Sequence, residues 1–305
     1  MSKGKKLFRK WMPVYLMMLP GLLYLLINNY MPMAGLAIAF KKVNYSVGIF
    51  KSPWCGLENF KFLFSTKDAW NITRNTLGYN FAFIIVNTVL GIAIAILISE
   101  IRSKVGKTIY QSAVLLPFLM SYVIVSYIVY AFLSGDTGMV NNSILAALGI
   151  DPINWYAEPK YWPMIIVFVN FWKGVGYGVL IYIAGIAGID SSFYEAAALD
   201  GATKWQQIKK ITLPALVPSI ITLTLLNIGR IFYSDFSLFY QVPMNTGMLY
   251  DVTQTIDTYV YRGLLTLGDV GMSSAAGFYQ SCVGFILVML SNLIVKKISP
   301  DNALF

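Results

Sequence analysis

The sequence predicts an all-α polytopic membrane protein with six transmembrane helices. Two observations carry that prediction. Only 12% of the 305 residues are charged and 57% are hydrophobic, whereas a soluble domain carries roughly 25% charged residues. The apolar residues also gather into runs of about 20, the length that crosses a bilayer as a helix. Helices are the economical choice, because every backbone amide must be paired inside lipid. Period-2 alternation is absent, which excludes a barrel. The length leaves no room for a large extramembrane domain, so residues 1–305 form a single transmembrane domain.

The spans fall at 13–40, 76–99, 112–133, 161–189, 213–236 and 274–295. The first follows a basic stretch containing Lys3, Lys5, Lys6, Arg9 and Lys10. With Ala37-Ile38-Ala39 it has the outline of a signal peptide, but the apolar run is too long for one, so an uncleaved helix is expected. Pro117 predicts a kink in the third span. Gly174, Gly176 and Gly178 in the fourth allow close helix packing or a hinge, with packing favoured. The 237–273 segment reads as a long loop, with turn residues Pro243, Asn245 and Gly247.

Lysine and arginine set the orientation. The N-terminus is basic. Arg102, Lys104 and Lys107 follow the second span, Lys204, Lys209 and Lys210 the fourth, and Lys296 and Lys297 the sixth. These regions share one side, so both termini and the segment around Glu195 are expected in the cytoplasm. The 134–160 and 237–273 loops are acidic and lie outside. One loop disagrees: Lys41, Lys42, Lys51, Lys61, Lys67 and Arg74 also fall outside. An amphipathic stretch at 57–64 within it suits the outer interface.

Several function classes drop out. The net charge is +9, yet no basic, aromatic-interleaved domain stands apart from the spans, so nucleic acid is a poor partner. Basic ends suit anionic headgroups better. Cys55 and Cys282 make no disulfide or metal framework. Histidine is absent, which removes the commonest metal ligand and general base. No catalytic residue, no metal site and no cofactor is assigned to this chain.

The segment from Glu195 to Pro214 reads EAAALDGATKWQQIKKITLP. Ser192-Phe193-Tyr194-Glu195 fits a capping box that starts a helix. Ala196, Ala197 and Ala198 continue it. Asp200-Gly201 is a turn signal. Thr203-Lys204-Trp205-Gln206 fits a second capping box, and Trp205, Ile208 and Ile211 then share one helical face. Pro214 suits the first turn of the next span. Two explanations stay open on physics alone. The helix–turn–helix is a grip for a partner protein, or Glu195 merely caps its own helix while Trp205 sits at headgroup level.

The order Glu195-Ala196-Ala197, Asp200-Gly201-Ala202 and Ile211-x-Leu213-Pro214 resembles the EAA motif of binding-protein-dependent ABC importer permeases. Similarity extends along the chain. Ile181-Tyr182-Ile183-Ala184-Gly185-Ile186 and Ile256-Asp257-Thr258-Tyr259-Val260-Tyr261-Arg262 resemble the carbohydrate-uptake branch. The run from Ser273 to Ser281 and the terminal Pro300-Asp301-Asn302-Ala303-Leu304-Phe305 look like its polysaccharide and complex-oligosaccharide permeases. The resemblance implies a homologous second permease, a cytoplasmic ATPase dimer that binds ATP and Mg²⁺, and an external solute-binding protein. It implies that Glu195, Ala196, Ala197, Asp200 and Gly201, with Leu213 and Pro214 closing the motif, couple the permease to the ATPase within a segment at 192–214. The chain has no Walker A pattern, so hydrolysis belongs to a partner.

Ionisable and polar residues inside spans are candidates for the substrate path. These are Asn170, Trp172, Lys173 and Tyr177 in the fourth span, Asn227, Arg230, Tyr233 and Asp235 in the fifth, and Tyr279 and Gln280 in the sixth. Amides and phenols exchange hydrogen bonds with sugar hydroxyls, and aromatic faces stack on sugar rings. Lys173 and Arg230 against one acid make an oligosaccharide containing uronate attractive, if both face the cavity. The opposing explanation pairs the two cations with Asp235 or with carbonyls of neighbouring helices. Two other classes compete. An ion-coupled secondary transporter uses Lys173, Arg230 and Asp235 for coupling, but leaves the EAA pattern unexplained. A membrane enzyme acting on glycan or lipid lacks a catalytic constellation.

Overall fold

The computed structural model describes residues 3–298, and among these all regular secondary structure is helical, apart from one isolated bridge between Lys41 and Trp54. Among the described residues, five helical runs are long and apolar enough to cross a membrane: Lys10–Phe40, Asp68–Ser99, Pro159–Ala187, Lys204–Ile228 and Val270–Lys297. A sixth is broken, with Lys104–Leu119 and Tyr122–Leu133 meeting at 99°. Large apolar side chains stand exposed along them, Met17, Leu97, Leu119, Met164 and Phe168 among others. Such bands are what lipid-facing helices present.

The chain forms two compact units. One gathers the residues up to Thr66 with Val260–Tyr279. It contains α1 (Lys3–Leu25), which continues through a π turn and a 3₁₀ stretch to Phe40, and α2 (Glu58–Ser65), where the amphipathic stretch was expected. Phe40, Phe60 and Phe278 form an aromatic cluster, with centroids 5.2–5.8 Å apart. Asn59 closes the loop by donating to the carbonyls of Ala39 and Lys41 at 2.9 and 3.0 Å.

The other unit runs from Lys67 to Tyr259 and resumes at Gln280. It is built on α3 (Asp68–Ser99), α4 (Lys104–Leu119), α5 (Tyr122–Leu133) and α6 (Trp162–Ala187). After these come α7 (Ser191–Leu199), α8 (Lys204–Gln207), α9 (Leu213–Ile228) and α10 (Phe236–Gln241). The α6 helix packs along α3 and α4. One core joins Tyr79, Phe83, Val125, Trp162, Ile166, Leu238 and Phe239. A second joins Ala95, Ile98, Val175, Val179, Tyr182, Ile183 and Leu216. The chain continues through α11 (Ile256–Leu265) and α12 (Val270–Ile298).

Four expectations need correction. The second helix begins at Asp68, not at 76, and takes Arg74 into its first turns. The third span is broken at Met120-Ser121 instead of being kinked at Pro117. Pro117 lacks the amide that would extend the ladder, and Ser121 starts a new helix by accepting from the Ile124 amide at 3.3 Å. The fifth span ends at Ile228, eight residues short of 236. The 237–273 segment is largely helical, because α10, a turn at Tyr250–Thr253 and α11 occupy it.

Candidate functional site

The interruption after Ile228 builds the main site. Residues 229–235 leave the α-helical ladder; local turns pair the amides of Gly229, Arg230, Ile231 and Tyr233, and the carbonyls of Ile231, Phe232 and Tyr233 and the Ser234 amide need other partners. Side chains from distant helices supply them. Asn80 Nδ2 donates to the carbonyls of Ile231 and Tyr233, both at 2.9 Å. Gln280 Nε2 donates to the Phe232 carbonyl at 3.0 Å and to Asp257 Oδ2 at 3.1 Å. Asp257 Oδ2 accepts from both the amide and the hydroxyl of Ser234 at 2.7 Å. Asp235 then caps α10 by accepting from the Leu238 amide at 3.2 Å.

Held this way, Arg230 and Tyr233 line a pocket of about 180 Å³ with Asn80, Phe83, Ile84, Asn87, Asn170 and Asn227. Asn87 Nδ2 donates to Asn170 Oδ1 at 2.9 Å. The Oδ1 of Asn87 is buried without a partner, a free acceptor for a hydroxyl. Arg230 is exposed, and its guanidinium has no partner among the described residues. Arg230 and Tyr233 also line an adjoining pocket of about 650 Å³ with Gly229, Ser234, Asp235 and Asp257. Four amides, one unpaired cation and one phenol can bind hydroxyls and carboxylates.

Of the ten residues proposed for the substrate path, Asn170, Asn227, Arg230 and Tyr233 meet at the first pocket and Asp235 at the second. Gln280 is buried as a brace of the unwound segment. Trp172 packs against the first core. Tyr177 stacks on Phe118, with centroids 5.8 Å apart. Lys173 is buried and donates to the Phe118 carbonyl at 3.2 Å. Tyr279 belongs to the other unit, where its ring lies 5.5 Å from Phe64. Sequence reasoning missed Asn80, Asn87 and Asp257. The two asparagines carry the same signal as Asn170, an amide inside an apolar run; Asp257 was assigned to a loop.

A second site follows α6. Three residues after Ala187, α7 starts with Asp190 as its cap, which accepts from the Ser192 amide at 2.9 Å. The expected capping box at Ser192 and Glu195 is therefore replaced by Asp190, one of the best capping residues. The Ser192 amide holds the Asp190 carboxyl below the usual carboxylate range. Gly201 follows with φ +78°, the left-handed conformation that ends helices at glycine. The second capping box forms as expected. Thr203 Oγ1 accepts from the Gln206 amide at 3.3 Å, and Gln206 Oε1 accepts from the Thr203 amide at 2.7 Å. The α8 helix then passes through a π turn into α9, so Leu213 and Pro214 lie within one continuous helical run, Lys204–Ile228.

The turn is tied to its own unit at two points. Tyr194 and Thr212 share a hydrogen bond of 2.9 Å between hydroxyls. Lys204 pairs with Glu100 at 3.1 Å. Glu195, Ala196, Asp200 and Gly201 remain exposed and Ala197 half-buried. Phe193 is 62%, Trp205 70% and Leu199 90% exposed, which is an apolar surface without a partner among the described residues.

Residues 87–300 match the family described as binding-protein-dependent transport system inner membrane component, and the chain belongs to that family. It is a multi-pass membrane permease of the ABC transporter class. The chain is 35% identical to LplB of Bacillus subtilis over 96% of its length and 91% of the relative. It is 33% identical to the polygalacturonan/rhamnogalacturonan transport system permease protein YteP of the same organism, over 95% and 89%. Among solved structures it resembles a chain of a bacterial ABC transporter involved in import of the acidic polysaccharide alginate. That likeness has a TM-score of 0.88 at 32% identity, over 98% of this chain and 100% of the other. A second such structure, holding an alginate pentasaccharide-bound periplasmic protein, gives a TM-score of 0.86 over 96% and 97%.

Proposed function

We propose that this chain is one of two homologous permeases in an ATP-driven importer, and that it passes oligosaccharides, uronate-containing ones included, from an external binding protein to the cytoplasm. The carrying observation is the first pocket, where the amides of Asn80, Asn87, Asn170 and Asn227 surround the unpaired Arg230. A guanidinium takes a carboxylate in a two-pronged hydrogen bond. The names of YteP and of the alginate transporter support an acidic saccharide.

In this reading α7 faces the cytoplasm, as do both termini, and docks into a cleft of an ATPase dimer. Glu195, Ala196, Ala197, Asp200 and Gly201 meet the ATPase, which binds ATP and Mg²⁺. Exposed Phe193 and Leu199 support a docking role, since solvated apolar side chains gain from burial. Closure of the ATPases then swings the permeases between inward-facing and outward-facing states.

Reconstitution with the second permease, the ATPase and the binding protein in liposomes tests this. Uptake of an acidic oligosaccharide is expected to need both ATP and the binding protein. Uptake that follows an ion gradient without ATP contradicts it.

A further inference from the structure

The break in the third span holds a network that the transport reading leaves unassigned. A bend of 99° between α4 and α5 strips the last carbonyls of α4 of their amides. The Phe118 carbonyl is one of these, and Lys173 Nζ donates to it at 3.2 Å. The ammonium also lies 4.5 Å from the centroid of the Tyr122 ring and 5.6 Å from that of Phe118. No carboxylate pairs with it among the described residues. The Tyr122 phenol interacts in turn with the carboxylate of Asp235, the cap of α10.

The same face of α6 meets α4 again three residues on. A Cβ on Gly176 would stand 2.5 Å from the Val114 carbonyl oxygen and 2.9 Å from the Leu115 Cα. So α6 touches the broken span at two successive turns, once through Lys173 and once backbone to backbone. Asn170, three residues before Lys173, lines the first pocket, and only three residues separate the end of α6 from the start of α7.

We propose that Lys173 is a positioning residue that latches α6 to the break in the third span, and not a cation that binds the transported sugar. This rests on the permease reading above. A substrate-binding cation must stand open to an arriving carboxylate, as Arg230 does. Lys173 is only 9% exposed, sits against two aromatic rings and spends a donor on a backbone carbonyl. Buried charge of this kind persists where backbone groups and aromatic faces replace its hydration. The latch makes the pocket wall at Asn170, the break and the start of α7 parts of one rigid piece.

The test uses the assembled transporter with the native chain, Lys173→Met, Lys173→Gln and Arg230→Met. Two quantities are read: the uptake ratio of a uronate-containing to a neutral oligosaccharide of equal length, and hydrogen exchange over 118–124. Lys173→Met is expected to keep the native ratio and to speed exchange there by roughly tenfold, the mark of local opening. Lys173→Gln keeps an N–H donor and is expected to recover part of the protection. Arg230→Met is expected to lower the ratio and leave the exchange native. A ratio that falls in Lys173→Met as it does in Arg230→Met, or unchanged exchange over 118–124, overturns the proposal. If Lys173→Met fails to assemble, Lys173→Gln carries both readings. Failure of the native chain to take up sugar with ATP sinks the permease reading instead, and the exchange arm still decides the latch.

Discussion

Arg230 stands open beside four asparagines, and its removal isolates the charge contribution to selection. Arg230→Met is expected to cut the preference for acidic over neutral oligosaccharide by roughly tenfold, about 1.4 kcal/mol. Competition uptake with the two sugars at equal length measures it. Asp257 is a second residue with a sharp outcome. Its Oδ2 accepts from Ser234 twice and from Gln280 once. In Asp257→Asn a neutral amide oxygen takes the place of Oδ2, so these bonds lose their charge assistance. A loss of about 1.5–3 kcal/mol in stability is expected, read as a lower melting temperature of the complex in detergent. The candidates at 170, 227, 230 and 233 were legible because a polar residue stands out in an apolar run. The brace formed by Asn80, Asp257 and Gln280 was not. It answers carbonyls freed far away in sequence, and that freedom exists only once α9 has broken.

At the scale of elements, Gly176 tests how tightly α6 lies on α4. Gly176→Ala puts a methyl 2.5 Å from the Val114 oxygen, which both backbones resist. A cost of about 1–3 kcal/mol is expected, as for other overpacked cores. A melting temperature equal to the native one contradicts that contact. The α7–α8 turn has its own outcomes. Thr203→Ala removes the hydroxyl from its capping box and is expected to cost about 1 kcal/mol. Asp190 titrates with a defined sign. Its pKa is lowered by the Ser192 amide, so its contribution to α7 is present above the ordinary aspartate value, about 3.9, and is lost as pH falls through the lowered one. Exchange at the start of α7 is expected to quicken only in that acidic window. The Thr203 box was readable because its residues are local. The start of α7 was misplaced by two residues, because Asp190 competes with Ser192 for the same role. The break at Met120-Ser121 was half-readable: Pro117 announced a disturbance, but the Phe118 carbonyl it frees is met by Lys173, which comes from another helix.

At the scale of the molecule, composition alone announced a helical membrane protein, since few charges and long apolar runs leave no other fold. Length and hydropathy do not mark a span that unwinds partway, so the fifth span was drawn eight residues too long. The central claim is that α7 transmits motion from an ATPase to the pocket at Arg230. Glu195→Lys places a cation on the exposed face of α7 and touches neither core. The direct measurement is sugar-stimulated ATP hydrolysis and sugar uptake by the reconstituted Glu195→Lys complex, beside the native one. The account predicts that both fall together while the permease still folds with its native melting temperature. Uptake and stimulation that both stay at native levels contradict it.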